Sequence, residues 1–139
     1  MARISKKLHD EVAKRADFCC KYCKRPELYT GMPHEVDHVV PQSKGGKNTS
    51  DNLALACRLC NSFKQDAQTG IDPETGNKEP LFNLRTQVWL EHFQWSEDYS
   101  QIIGLTPTGR ATVQRLQLNY PATILARIEW RKLGWTPPA

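Results

Sequence analysis

The 139-residue chain has no run of about 18 apolar residues, so no segment is expected to span a membrane. Its first residues, Met1-Ala-Arg-Ile-Ser-Lys-Lys, are basic but lead into no apolar stretch, which excludes a secretory signal and predicts a cytoplasmic protein. No internal repeat or low-complexity segment occurs, which leaves one domain, or one small domain with an elaborated tail. In a reducing compartment, disulfides are not the expected use of five cysteines; metal binding or catalysis is.

Net charge is +4, and its distribution is uneven. Through Lys64 there are 12 Lys+Arg and 7 Asp+Glu; from Gln65 onward there are 7 and 8. The positive excess therefore sits on the half that carries the cysteines, which suits a polyanion held by phosphate contacts. A solvated basic face would carry the same charge.

Four cysteines form two Cys-x-x-Cys pairs, Cys20/Cys23 and Cys57/Cys60, with Cys19 left over. Four thiolates meet the demand of a tetrahedral structural zinc and leave no open coordination position, so this ion is expected to hold the fold and not to catalyse. Between the pairs, Glu35 to Val40 reads as a short β-branched strand stopped by Pro41. Gln42–Asp51 is a polar loop around Gly45-Gly46, and Leu53–Ala56 is a second strand. A helix is expected from Asn61 to Gln68, closed by Gly70.

Alternation along a strand sends Asp37 and His38 to opposite faces. One can then bind a hard cation while the other reaches a water in front of it, and neutral imidazole is suited to taking a proton near neutral pH. Asn61, just after the last cysteine, offers a second oxygen ligand. One carboxylate, one amide and several waters suit Mg²⁺ or Mn²⁺ better than zinc. Asn52 lies between, where its amide can pin the loop after His38. The competing description is a surface Asp-His pair with two capping asparagines.

The window His34-Glu35-Val36-Asp37-His38 also fits His-Glu-x-x-His, but that chemistry needs both histidines on one helical face. Between Pro33 and Pro41 the window reads as strand, where residues four apart lie about 13 Å from each other. The zinc deaminase pattern is missing altogether.

Taken together, Cys20-x-x-Cys23, Asp37-His38-Val-Val-Pro41, Gly45-Gly46, Asn52-Leu53 and Cys57-x-x-Cys60-Asn61 followed by Lys64 resemble the HNH endonucleases of the ββα-metal fold. The order and spacing are similar to the subgroup in which a four-cysteine zinc braces the catalytic hairpin and helix, over about a third of the chain. The resemblance implies His38 as the general base that activates water for attack on a phosphodiester, Asp37 and Asn61 as ligands of the catalytic cation, and Asn52 as the middle asparagine that orients the base loop. The final His of the motif is replaced by Asn61, a common replacement in the family. Lys64, one helical turn after Asn61, is expected near a phosphate; Arg58, Lys44 and Lys47 are further candidates for nucleic-acid contact.

The fold class expected is therefore α+β: an HNH unit over 1–70 with a helix in front, beginning at Ser5, and a mixed helix/strand extension over 71–139 packed on it. In front of the knuckle, Leu8, Val12 and Ala16 form one apolar stripe of that first helix, ringed by Lys7, Lys14 and Arg15. Arg25–Pro33 and Ile71–Pro80 read as loop and turn. Gln87–Trp95 and Ser100–Leu105 read as a hairpin or short helix–strand elements, and Thr106-Pro107 opens a helix running to about Leu118. A last helix spans Pro121 to Leu133 with Ile124, Leu125, Ile128 and Leu133 as its apolar face. All four Trp lie in this half and are read as packing, with base stacking as the competing use. The function expected is metal-dependent hydrolysis of DNA, with RNA as a further possible substrate, by a monomer or weak homodimer; the alternative is a non-catalytic zinc-ribbon module that binds nucleic acid.

Overall fold

The structure is a computed structural model and describes residues 4–138. The chain divides into two compact units, one running to Gln68 and including Asn83–Thr86, the other formed by Thr69–Phe82 and the chain from Gln87.

In the first unit, helix α1 (Lys6–Arg15) begins where the Ser5 hydroxyl accepts the Leu8 N–H at 3.1 Å. Its Val12 and Ala13 are buried against Leu53 and Leu55, with Leu8, Ala16 and Val36 packed around them. Arg15, at the end of the helix, is exposed yet already bonded within the unit. Its guanidinium donates to the Ser50 hydroxyl and carbonyl at 2.6 and 2.9 Å and to the Leu53 carbonyl. A short helix α2 (Glu27–Thr30) lies inside the segment expected to be loop, closed by Gly31 in the left-handed region.

Strand β1 (Glu35–His38) pairs antiparallel with β2 (Leu53–Ala56), Asp37 opposite Ala54 and His38 opposite Leu53. Val36 and the leucines of β2 face α1. The other face carries Glu35 and Asp37 beside the small side chains of Ala54 and Ala56, and this leaves room for helix α3 (Arg58–Lys64). That helix starts three residues before the position expected, because the Cys57 sulfur caps it by accepting the Cys60 N–H at 3.4 Å. It ends at Lys64, and Gly70 belongs to the next element. The order strand, loop, strand, helix stands as read.

In the second unit, the turn-rich stretch is a hairpin of β3 (Thr69–Ile71) and β4 (Lys78–Pro80). Helix α4 (Trp89–His92) leads directly into β5 (Phe93–Trp95), which pairs with β6 (Ile102–Gly104). Thr106 caps α5 (Pro107–Arg115), its hydroxyl accepting the Gly109 N–H at 3.0 Å, with Pro107 in the first turn as expected. Helix α6 (Pro121–Lys132) buries Thr123, Arg127 and Trp130; Leu125, Ile128 and Leu133 of the expected apolar face are exposed. The helix turns this way because Arg127 is satisfied inside. Its guanidinium donates to the carbonyls of Ser100 and Leu118 at 3.0 and 2.7 Å and lies 5.2 Å from the centre of the Trp95 ring. Arg110 is paired in two bonds of 2.9 Å with Asp72.

Candidate active site and structural metal centre

The two Cys-x-x-Cys segments meet. The sulfurs of Cys20, Cys23, Cys57 and Cys60 lie within 4.8 Å of one another, and all four residues are buried. Cys23 Sγ and Cys57 Sγ are 3.7 Å apart. A zinc–sulfur bond of about 2.3 Å makes a tetrahedron whose edge is about 3.8 Å, which the Cys23–Cys57 separation matches. The two knuckles are alike: the Cys23 N–H points to Cys20 Sγ at 3.5 Å and the Cys60 N–H to Cys57 Sγ at 3.4 Å. Hydrogen bonds from the other three cysteines hold the Cys23 thiol well below its ordinary range, so thiolate character is available in the cluster. Arg25, 4.0 Å from Cys57 Sγ, brings a positive charge beside it. Cys19 stands outside the cluster, in a bridge with Pro26.

The knuckle reaches strand β1 through Tyr22. Burial is the main reason its phenol stays protonated, with its pKa well above the usual range, and the hydroxyl donates to Asp37 Oδ2 at 3.1 Å. The other oxygen of Asp37 accepts from Lys64 Nζ at 3.0 Å. Both partners of this pair are buried, 3% and 4% exposed at their side chains. Burial raises the Asp37 pKa, and Lys64 and Tyr22 work against that rise. Lys64 is thus not a surface cation over a phosphate as expected. Its ammonium is drawn inward to Asp37 and the His38 carbonyl, 3.2 Å away, because a carboxylate at this depth requires a compensating charge.

A cleft of about 190 Å³ opens at the end of the hairpin, and Asp37, His38 and Asn61 all line it, with Gln42, Gln65 and Asp66 around them. Asn61 donates its amide nitrogen to Glu35 Oε1 at 2.9 Å, which commits that nitrogen and leaves Oδ1 as the atom to offer a cation. Each oxygen of Asp37 has a second lone pair beyond the bond it already accepts. A carboxylate oxygen and an amide oxygen on one cleft form a hard donor set, which fits an ion of the Mg²⁺ or Mn²⁺ kind.

Asn52 stands outside the cleft and staples its rim. Its Oδ1 accepts the Val40 N–H at 2.9 Å, and its Nδ2 donates to the carbonyls of Val40 and Lys47 at 3.1 and 3.0 Å. The Gly45-Gly46 turn makes this possible. Gly45 is left-handed at φ 89°, and a Cβ on Gly46 would lie 1.7 Å from the Val40 carbonyl oxygen. Lys44, Lys47 and Arg58 are exposed, and Lys44 Nζ donates to the Asp66 carbonyl at 3.0 Å.

Several contributors escaped sequence reasoning. Tyr22 lies within a knuckle and Glu35 two residues before Asp37, so strand alternation was a usable signal for Glu35. Asn48 and Gln42 lie in the loop, where no periodicity points anywhere. The His-Glu-x-x-His window is strand from Glu35 to His38, and His34 is held by a 2.8 Å bond to the Arg25 carbonyl.

Residues 20–67, about a third of the chain, match the family model described as HNH endonuclease. This segment is similar to an HNH domain. The matched family is one of nucleases that use divalent metals, and the four-cysteine cluster lies within the matched residues. No curated protein and no solved structure matches the chain. Among the described residues, no helix is long and apolar enough to cross a membrane.

Proposed function

We propose that the protein is a metal-dependent endonuclease that hydrolyses DNA phosphodiester bonds at the HNH cleft, with His38 as general base. The observation that carries this reading is the meeting of Asp37, His38 and Asn61 on one cleft beside the four-cysteine cluster. Asp37 and Asn61 would hold the cation, while zinc held by the cysteine cluster would brace the hairpin and α3. Bound there, Mg²⁺ or Mn²⁺ would supply Lewis-acid polarisation of the scissile phosphate and stabilise the leaving oxygen.

The protein's own groups do the rest. The His38 imidazole takes a proton from the attacking water. Lys64 and Tyr22 keep the Asp37 carboxylate fixed, and Glu35 engages the Asn61 amide nitrogen so that its oxygen is the atom left to bind a cation. Asn52 holds the loop that follows His38. Exposed Lys44, Lys47 and Arg58 supply phosphate contacts, and the basic excess up to Lys64 favours a polyanion. With one site per chain, a monomer nicks one strand. Five unpaired cysteines suit a cytoplasmic setting.

The test is conversion of supercoiled plasmid, wild type beside His38→Ala, in Mg²⁺, in Mn²⁺ and in EDTA. Open-circle product that requires both metal and His38 is the expected result. DNA binding by gel shift with no conversion by the wild type in either metal would overturn the enzyme reading in favour of a zinc-ribbon binding module.

A further inference from the structure

The base loop contains a contact that the site's chemistry leaves unexplained. His38 Nε2 lies 2.6 Å from Asn48 Oδ1, and the same oxygen accepts from Gln42 Nε2 at 3.0 Å. An amide oxygen only accepts, so the imidazole nitrogen facing it carries the proton. We infer that Asn48 is a positioning residue that holds neutral His38 as the Nε2–H tautomer, leaving Nδ1 as the atom that takes the proton from water. The inference rests on the nuclease reading for its catalytic consequence, but the tautomer itself does not.

The arrangement is built, not incidental. His38 closes β1, and Gln42 opens the turn just after Pro41. The chain must then double back for Asn48 to reach the ring. It does so through the Gly46 N–H, bonded to the Pro41 carbonyl at 2.9 Å, and through the Asn52 amide, bonded to the carbonyls on both sides of the turn. Gln42 donates to the oxygen of Asn48 and so sets which end of that amide faces the imidazole. The two nitrogens of a catalytic histidine are distinct, and the bond made by one decides the chemistry open to the other. A base whose wrong nitrogen is protonated cannot accept at all, and one left unanchored loses its alignment with the water.

The experiment uses the full zinc-loaded chain with ¹⁵N-labelled histidine and needs no substrate. At a pH where the ring is neutral, the His38 spectrum is expected to show a protonated Nε2 and an unprotonated Nδ1, with the Nε2 proton protected from exchange. Asn48→Leu, of similar size but without an acceptor, is expected to lose that protection. It should also lower kcat for plasmid nicking on the order of 10- to 100-fold with little change in KM. Asn48→Asp, which keeps an acceptor oxygen, is expected to restore the protected proton and most of the rate. A wild-type ring protonated at Nδ1, or a protected Nε2 proton and kcat both untouched in Asn48→Leu, would overturn the inference. If the wild type shows the Nε2 proton, the leucine variant loses it and neither protein cuts DNA, the positioning role stands and the nuclease reading falls.

Discussion

The apolar cluster of the first unit is Val12, Ala13, Leu53 and Leu55, all aliphatic, whereas the second unit is packed around aromatic rings. Trp89 stacks on Trp95 with ring centres 5.6 Å apart, and Trp135 meets both Trp95 and Trp130 edge-on at 5.8 and 5.6 Å. The polar interiors differ as well. In the first unit the buried Lys64–Asp37 pair and Tyr22 stand beside the cleft, and four cysteine sulfurs converge. In the second, Arg127 bonds the Ser100 carbonyl and the Asp72–Arg110 pair ties hairpin to helix. The unit that gathers four cysteines has its buried ion pair at a cleft, while the other is packed around rings.

Removing the brace should have the largest effect. A structural zinc contributes on the order of 10 kcal/mol to folding, so Cys57→Ser should unfold the first unit. Hydrogen exchange followed by mass spectrometry is expected to show protection lost across β1, β2 and α3 and retained in α5 and α6. Equal loss in both units, or none in either, would break the contrast.

Next comes the buried charge. Lys64→Met leaves Asp37 without its cation and is expected to cost about 3–5 kcal/mol, read by denaturant unfolding. An unchanged midpoint would mean that Lys64 is not what keeps the carboxylate at this depth. The counterpart in the second unit is Trp130→Ala, also expected at about 3–5 kcal/mol from the lost ring packing. Its zinc content should stay that of wild type; a fall in bound zinc would show that the aromatic unit also supports the metal centre.

The smallest effect expected is that of acid on the second unit. The bonds from Arg110 hold the Asp72 carboxyl down at about 2, against an ordinary value of 3.8. A depressed carboxyl stabilises the folded state fully above the ordinary value and ceases to do so as pH falls through the lowered one. Thermal melts of the second unit should therefore lose this contribution between about pH 4 and pH 2, and Arg110→Gln should flatten that slope. A variant with the wild-type slope would remove the pair from the account.

Much of the first unit was legible because its signals are local. The cysteine spacing, the Ser5 cap and the β-branched strand before Pro41 each act within a few residues, and β2 lies where it was expected. The start of α3 was not, since a thiol acting as helix cap is not among the usual capping residues. Lys64 and α6 were misread for one reason: surface and core were assigned by residue type. A lysine goes inside when a buried carboxylate calls for it, and Arg127 displaces the aliphatic face of its helix because carbonyls and a Trp ring receive it. Asn48 was invisible because its partner His38 is brought to it only by the doubled-back loop.

The account turns on two metal duties kept apart, and one titration tests that separation. Mg²⁺ is added to protein carrying a counted one zinc per chain, while plasmid nicking, bound zinc and far-UV circular dichroism are followed together. Nicking that rises from nothing to saturation, at constant zinc and unchanged circular dichroism, is the predicted result. Nicking at full rate before any Mg²⁺ is added, or Mg²⁺ displacing the zinc as activity appears, would contradict it.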